Sequence, residues 1–305
     1  MSHDTKRKNL SVVYNVTARC PWDCGFCVMD AGPGCRRPEL SFAEKLRLAD
    51  NVMETVGSID LSGGEIMQNR EEHLPLIRKL SDSLGRDRVG LSASGAYVDD
   101  TVAAELSPLI GHFELTMDAH PDEAYAYRPN GYHRRAAAAV SSLVKHGVSV
   151  GAQTVLTREH YQNQSLLPML FDWLCESGVE KWSLLRFFPS GRGVNYAELE
   201  LEAHENLALV DLCKDLSSKP GSPELDVHYL LPGTSKNSAC RCVNKSVGIL
   251  PDGTVTACFW GFGADNELAD DSFNLGNAAE RTLDEILASD NARKWLGYHG
   301  GCPLE

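Results

Sequence analysis

The sequence predicts an α/β protein built on a parallel sheet. Two observations predict it: six short β-rich runs alternate with longer amphipathic stretches through the first two-thirds of the chain, and Gly, Pro, Ser and Asp punctuate the joints between them. Strands alternating with helical patterns are the signature of βαβ units. Periodicity alone does not separate an open sheet from one curled into a partial barrel.

The candidate strands, in order, are LSVVYNV (10–16), SIDLS (58–62), RVGLSA (88–93), HFELTMD (112–118), VSVGAQTVL (148–156) and KWSLLRF (181–187). Helical patterns fall between them near 41–56, 71–84, 99–109, 133–146 and 163–177. After FFPSGRG the pattern changes. A helix is expected around Leu207, Leu209, Val210, Leu212 and Cys213, followed by the loop-like SSKPGSPELD. Asp252-Gly253, between β-rich flanks, signals a hairpin, and RTLDEILASDNARKWL reads as one last helix. We expect a boundary near residue 195, with a barrel over 1–195 and a linker helix plus a small domain over 196–305.

The formal net charge of -13 disfavours a nucleic-acid partner, which would need concentrated positive charge, and the short basic CRR at 35–37 does not reverse it. No stretch is long and apolar enough to span a bilayer, and the polar N-terminus has no apolar targeting core, so a cytoplasmic location with no membrane partner is expected.

Ten cysteines are many for a reducing compartment, where clustered thiols mean metal more often than disulfides. Seven fall in two groups: Cys20, Cys24 and Cys27 near one end, and Cys240, Cys242, Cys258 and Cys302 near the other. Thiolates suit iron–sulfur clusters. Three of them on a four-iron cubane leave one iron open to another ligand. The alternatives are accidental clustering or a zinc site completed by a remote residue for the first group, and a structural zinc for the second.

The spacing Cys-x3-Cys-x2-Cys, with Phe26 just before the last cysteine, resembles the signature of the radical S-adenosylmethionine (SAM) superfamily. The resemblance implies a partial (β/α)6 barrel with the cofactor at the C-terminal strand ends. It also implies a [4Fe–4S] cluster on Cys20, Cys24 and Cys27, whose open iron binds the amino and carboxylate groups of SAM, and a deoxyadenosyl radical that takes hydrogen from substrate. Further motifs follow in the family's order. Ser62, Gly63, Gly64 and Glu65 resemble the GGE motif that holds the methionine ammonium; glycines let a ligand approach the main chain, and a carboxylate can accept from an ammonium. Thr116 and Arg128 match positions that contact SAM, with Arg128 suited to its carboxylate. Gln153 falls on the adenine-contacting strand, and Ser92 and Ser94 are further cofactor-side candidates.

CRCVNKSVGILPDGTVTACFW, then GNAAERTLDEIL, then GGCPLE is similar to the SPASM extension in its shorter, twitch form. That likeness implies one auxiliary [4Fe–4S] cluster drawing on Cys240, Cys242, Cys258 and Cys302. Only Arg241 separates Cys240 from Cys242, so joint ligation is geometrically demanding: either all four cysteines ligate, or one of Cys240 and Cys242 is spare and the fourth position is open or filled otherwise.

The family resemblance points to aminocyclitol or aminoglycoside dehydrogenases and epimerases in natural-product biosynthesis. The expected reaction takes hydrogen from a carbinol carbon of a small sugar-like substrate, which the acidic chain suits if that substrate is a cationic amino sugar. A flavodoxin- or ferredoxin-type protein is the implied electron donor. Arg186 and Arg192 are candidates for substrate contact or proton handling, and Cys242 for hydrogen return. The alternative is a SPASM-like peptide maturase forming a thioether or other crosslink.

Overall fold

The computed structural model describes residues 10–228, 231, 240–263 and 267–304. Six parallel strands lie in sequence order: β1 (Ser11–Thr17), β2 (Ser58–Gly63), β3 (Val89–Ala93), β4 (His112–Thr116), β5 (Ser149–Leu156) and β6 (Lys181–Arg186). Helices α1 (Phe42–Met53), α2 (Arg70–Leu84), α3 (Asp100–Leu106), α4 (Tyr132–Lys145), α5 (Arg158–Gln162) and α6 (Leu166–Ser177) connect them. This is the α/β architecture, with a parallel sheet of six strands and intervening helices, expected from the sequence.

The strands alternate in a way that decides where a site can form. On β4, Phe113 and Leu115 are fully buried against the helices, while His112, Glu114 and Thr116 face the other side and stay partly open. On β2, Ile59 and Leu61 are buried, and Asp60 and Ser62 are partly open. Side chains alternate with period two, so the helix-facing surface is apolar and the inner surface is polar.

Ser41 caps α1 with Glu44 in a reciprocal box, so the helix starts where the Ser-x-x-Glu pattern places it. After α6 come α7 (Ala203–Ser217) and β7 (Glu224–Val227), which adds to β6 in parallel over Lys181–Leu184. β7 corrects the loop expected at SSKPGSPELD. Its short acidic run lies at the sheet edge, and its stability comes from β6 more than from its own apolar content.

At the other edge, β8 (Ser246–Ile249) joins β1 in parallel, and β9 (Thr254–Thr256) and β10 (Asn274–Asn277) follow antiparallel. Gly253 makes the β8–β9 turn with φ +87°, a conformation open to glycine at little cost. The last helical stretch is two helices, α8 (Leu283–Leu287) and α9 (Asp290–Leu296), because Ser289 accepts from the Ala292 amide and starts a second helix. Arg47 and Asn51 of α1 donate to the Ala279 and Ala278 carbonyls, tying this region to the barrel. Among the described residues no helix is long and apolar enough to cross a membrane.

Candidate active site and auxiliary centre

A cavity of about 400 Å³ opens at the C-terminal ends of the parallel strands and extends into the polar interior. Cys20 and Cys27 line it, as do Ser62, Gly63, Gly64, Ser92, Ser94, Thr116, Arg128 and Gln153. The loop after β1 therefore brings thiols to the same space that the ends of β2 to β5 supply with polar groups. Cys24 is buried in the same loop. Burial pushes the Cys20 thiol up to about 12 and raises Cys27 as well, so these sulfurs need a bound cation to stay ionised. Iron centres supply that charge, and a triad of soft donors fits a cluster.

Arg128 is fixed from three sides. Its Nε donates to Asp118 Oδ2 at 2.6 Å, and its guanidinium lies over the rings of Phe26 and Tyr132 at 4.6 and 4.9 Å. Burial alone would raise the Asp118 carboxyl; Arg128, with His133, outweighs it and holds the group well below the usual carboxylate range. Asp118 also accepts from the Val155 amide at 3.0 Å. One edge of the guanidinium is committed to this pair, and Arg128 still lines the cavity. Sequence reading missed Asp118 and Tyr132. The available signal was an acid directly beyond β4 and an aromatic opening α4.

The glycines line the cavity and also pack closely against the cysteine loop. A Cβ on Gly63 would sit 2.2 Å from the Thr17 carbonyl oxygen, and one on Gly64 2.1 Å from that of Arg19. The Gly64 and Glu65 amides donate to those same oxygens at 2.7 and 2.8 Å. The small residues let the cysteine loop lie against the end of β2.

Three of the expected residues lie outside the lining of this cavity. Glu65 is fully buried and does not line the cavity; its carboxylate accepts from Ser94 Oγ and from the Met67 and Ala96 amides. Arg192 also lies outside the cavity. It donates to the Cys24 and Ala31 carbonyls at 2.9 and 2.7 Å and pairs with Asp30 at 2.7 Å, bracing the cysteine loop. Cys242 is not among the cavity residues either; it lines a second cavity. Arg186, by contrast, lines the cavity, stacked on Phe188 and paired with Glu200 at 3.0 Å. Gln153 lines it with its amide engaged by Glu114.

Cys240, Cys242, Cys258 and Cys302 all line one small second cavity. Cys240 and Cys242 reach the same cavity although only Arg241 separates them, and Val243, with φ +61°, turns the chain sharply between Cys242 and β8. Hydrogen bonds with Cys240 and Cys258 raise the Cys242 thiol, and the same bonds lower Cys240 and Cys258. Thiols coupled this way ionise together only around a cation. Among the described residues no three groups converge as ligands of a single ion; the four thiols surround a space, which suits a cluster. Phe259 and Trp260, next after Cys258, line both cavities. Trp260 stacks on Phe188 with ring centroids 5.4 Å apart, so an aromatic wall separates the two sites.

Comparison with known proteins agrees with this geometry. The radical SAM superfamily profile matches residues 14–163, and the SPASM iron–sulfur cluster-binding profile matches 240–303. The chain carries a radical SAM domain followed by a SPASM/twitch-type domain. These domains bring SAM and [4Fe–4S] clusters, including an auxiliary cluster.

Among relatives, Fe-coproporphyrin III synthase of Methanosarcina barkeri is 24% identical over 218 residues, 70% of this chain and 53% of that one. PqqA peptide cyclase of Xanthomonas campestris is 24% identical over 262 residues, 82% of this chain and 67% of that one. The chain thus spans about half the length of the first and two-thirds of the second. Among solved structures, Streptococcus suis SuiB bound to S-adenosylmethionine superposes with a TM-score of 0.73 at 15% identity, covering 97% of this chain and 73% of that one. That likeness concerns the fold.

Proposed function

We propose that the chain is a radical SAM enzyme that matures a peptide, forming a crosslink at a side chain held between the barrel and the aromatic wall. The observation that carries this is the similarity to a peptide cyclase across 82% of the chain. The cavity is compatible with it: residues of both domains line it, and Phe187, Phe188, Phe259 and Trp260 offer apolar surface to a side chain.

In this reading residues 1–195 form the barrel and 196–305 the linker helix and cluster domain. Cys20, Cys24 and Cys27 would hold the SAM cluster. Arg128 would take the SAM carboxylate, and Ser62, Gly63 and Gly64 would border its ammonium. Ser92, Ser94, Thr116 and Gln153 would line the rest of the cofactor. Cys240, Cys242, Cys258 and Cys302 would hold the auxiliary cluster. When bound, SAM and its cluster supply a radical that removes hydrogen from substrate. The protein's part is to orient the two reactants and keep water out. Arg186 would contact substrate, and a one-electron donor of flavodoxin or ferredoxin type would reduce the cluster.

A second reading, dehydrogenation or epimerisation of a sugar-like carbinol, is favoured by the polar floor of Ser92, Glu114 and Gln153. The test is anaerobic incubation of reconstituted protein with SAM, reductant and either precursor peptides encoded beside its gene or amino sugars. A peptide that loses two hydrogens supports maturation. A ketone or an inverted centre on an amino sugar, with every peptide unchanged, contradicts it.

A further inference from the structure

We propose that Glu65 is a positioning residue for Cys20 and acts through Ser94 and Trp22. This rests on the reading of Cys20, Cys24 and Cys27 as cluster ligands. The Glu65 backbone amide donates to the Arg19 carbonyl at 2.8 Å, on one side of Cys20. Its side chain reaches the other side: Ser94 Oγ donates to Glu65 Oε2, and the Trp22 indole N–H donates to Ser94 Oγ at 3.0 Å.

The polarity of the relay is fixed. An indole N–H can only donate, so the serine oxygen accepts and its single hydrogen goes to the carboxylate. Oε2 also accepts from the Ala96 amide at 3.3 Å, and Oε1 accepts from the Met67 amide at 3.4 Å. Each carboxylate oxygen thus has a donor inside the protein, and the residue has no exposed surface with which to meet a ligand. Trp22 is held further by an edge contact with Tyr132 at 5.5 Å, the ring that also supports Arg128. The acid after the two glycines therefore pins residues 19 and 22, which bracket the first cysteine.

The experiment uses the reconstituted full chain with Glu65→Gln, Glu65→Ala, Ser94→Ala and Trp22→Phe, the last keeping an aromatic ring but removing the N–H. Cys20→Ala serves as the control for cluster loss. The readouts are the electron paramagnetic resonance line shape of the reduced cluster without SAM, the rate of iron loss to a chelator, and SAM affinity. Positioning predicts that Trp22→Phe and Ser94→Ala alter the SAM-free line shape and speed iron loss by about tenfold, the scale of one buried hydrogen bond. The Glu65→Gln/Trp22→Phe double variant should then be little worse than either single one.

The proposal is overturned if Trp22→Phe and Ser94→Ala match wild type in both SAM-free readouts while Glu65→Gln weakens only SAM binding. Should Glu65→Ala fail to fold, the Trp22→Phe and Ser94→Ala results decide, since both changes are small and leave Glu65 in place. Wild-type iron that survives Cys20→Ala unchanged would instead refute the cluster reading itself.

Discussion

Replacing Asp118 tests the core of the cofactor side of the site. The Arg128 side chain is 9% exposed and the Asp118 side chain has no exposed surface. Asp118→Ala strands a buried guanidinium and also frees the Val155 amide, which donates to Asp118 at 3.0 Å. Breaking a buried pair from one side costs about 3–5 kcal/mol. An orphaned buried amide costs about 1–3 kcal/mol, part of it the same desolvation. We expect a net loss of about 4 kcal/mol, a large share of a domain's typical 5–15 kcal/mol.

Asp118→Asn keeps the shape and an acceptor, and should lose about half as much. The sign with pH follows from the depressed carboxyl. A group titrating lower in the folded than in the unfolded state stabilises fully above the ordinary carboxylate range, and loses that contribution as pH falls. Wild type and Asp118→Asn should therefore differ at neutral pH and converge in strong acid. Urea denaturation of the metal-free protein, followed by circular dichroism across pH, measures both. A loss below about 1 kcal/mol for Asp118→Ala, or a pH-independent gap for Asp118→Asn, would refute the reasoning.

Other outcomes follow from the same geometry. Arg192→Ala removes three hydrogen bonds that brace the cysteine loop, so iron should leave the first cluster several-fold faster under a chelator, while metal-free stability falls by only about 1–2 kcal/mol. Gly63→Ala places a Cβ 2.2 Å from the Thr17 oxygen at φ +127°, and should cost at least about 2 kcal/mol in denaturant titration. His112 titrates above its ordinary value because it hydrogen-bonds Asp60 at 2.8 Å, against some burial. Stability from that pair is present at low pH and lost as pH rises through the raised value. Asp60→Asn should lower the His112 midpoint in an NMR titration; an unchanged midpoint contradicts the pairing.

Much of this was legible in the sequence. The six barrel strands stand out because each carries buried residues such as Ile59, Leu61, Phe113 and Leu115, which set a clear local pattern. The cysteines and the Gly63-Gly64 pair announce themselves by spacing. What was not legible depends on partners far along the chain. β7 exists because β6 offers a free edge, and β8 pairs with β1 across more than 230 residues of sequence. Glu65 and Arg192 are typical site residues by type, and only the buried surroundings of one and the loop contacts of the other reveal supporting roles. Asp118 carried a weak local signal because its partners, Arg128 and Val155, are set by the turn after β4 and by β5.

The most direct test of the two-centre account is iron and sulfide content after anaerobic reconstitution, compared among wild type, the Cys20/Cys24/Cys27→Ala triple variant and the Cys240/Cys242/Cys258/Cys302→Ala quadruple variant. The account predicts about eight irons per wild-type chain and about four in each variant, with SAM cleavage abolished in the triple variant. About four irons in wild type, unchanged in the quadruple variant, or SAM cleavage that survives loss of the triad, would contradict it.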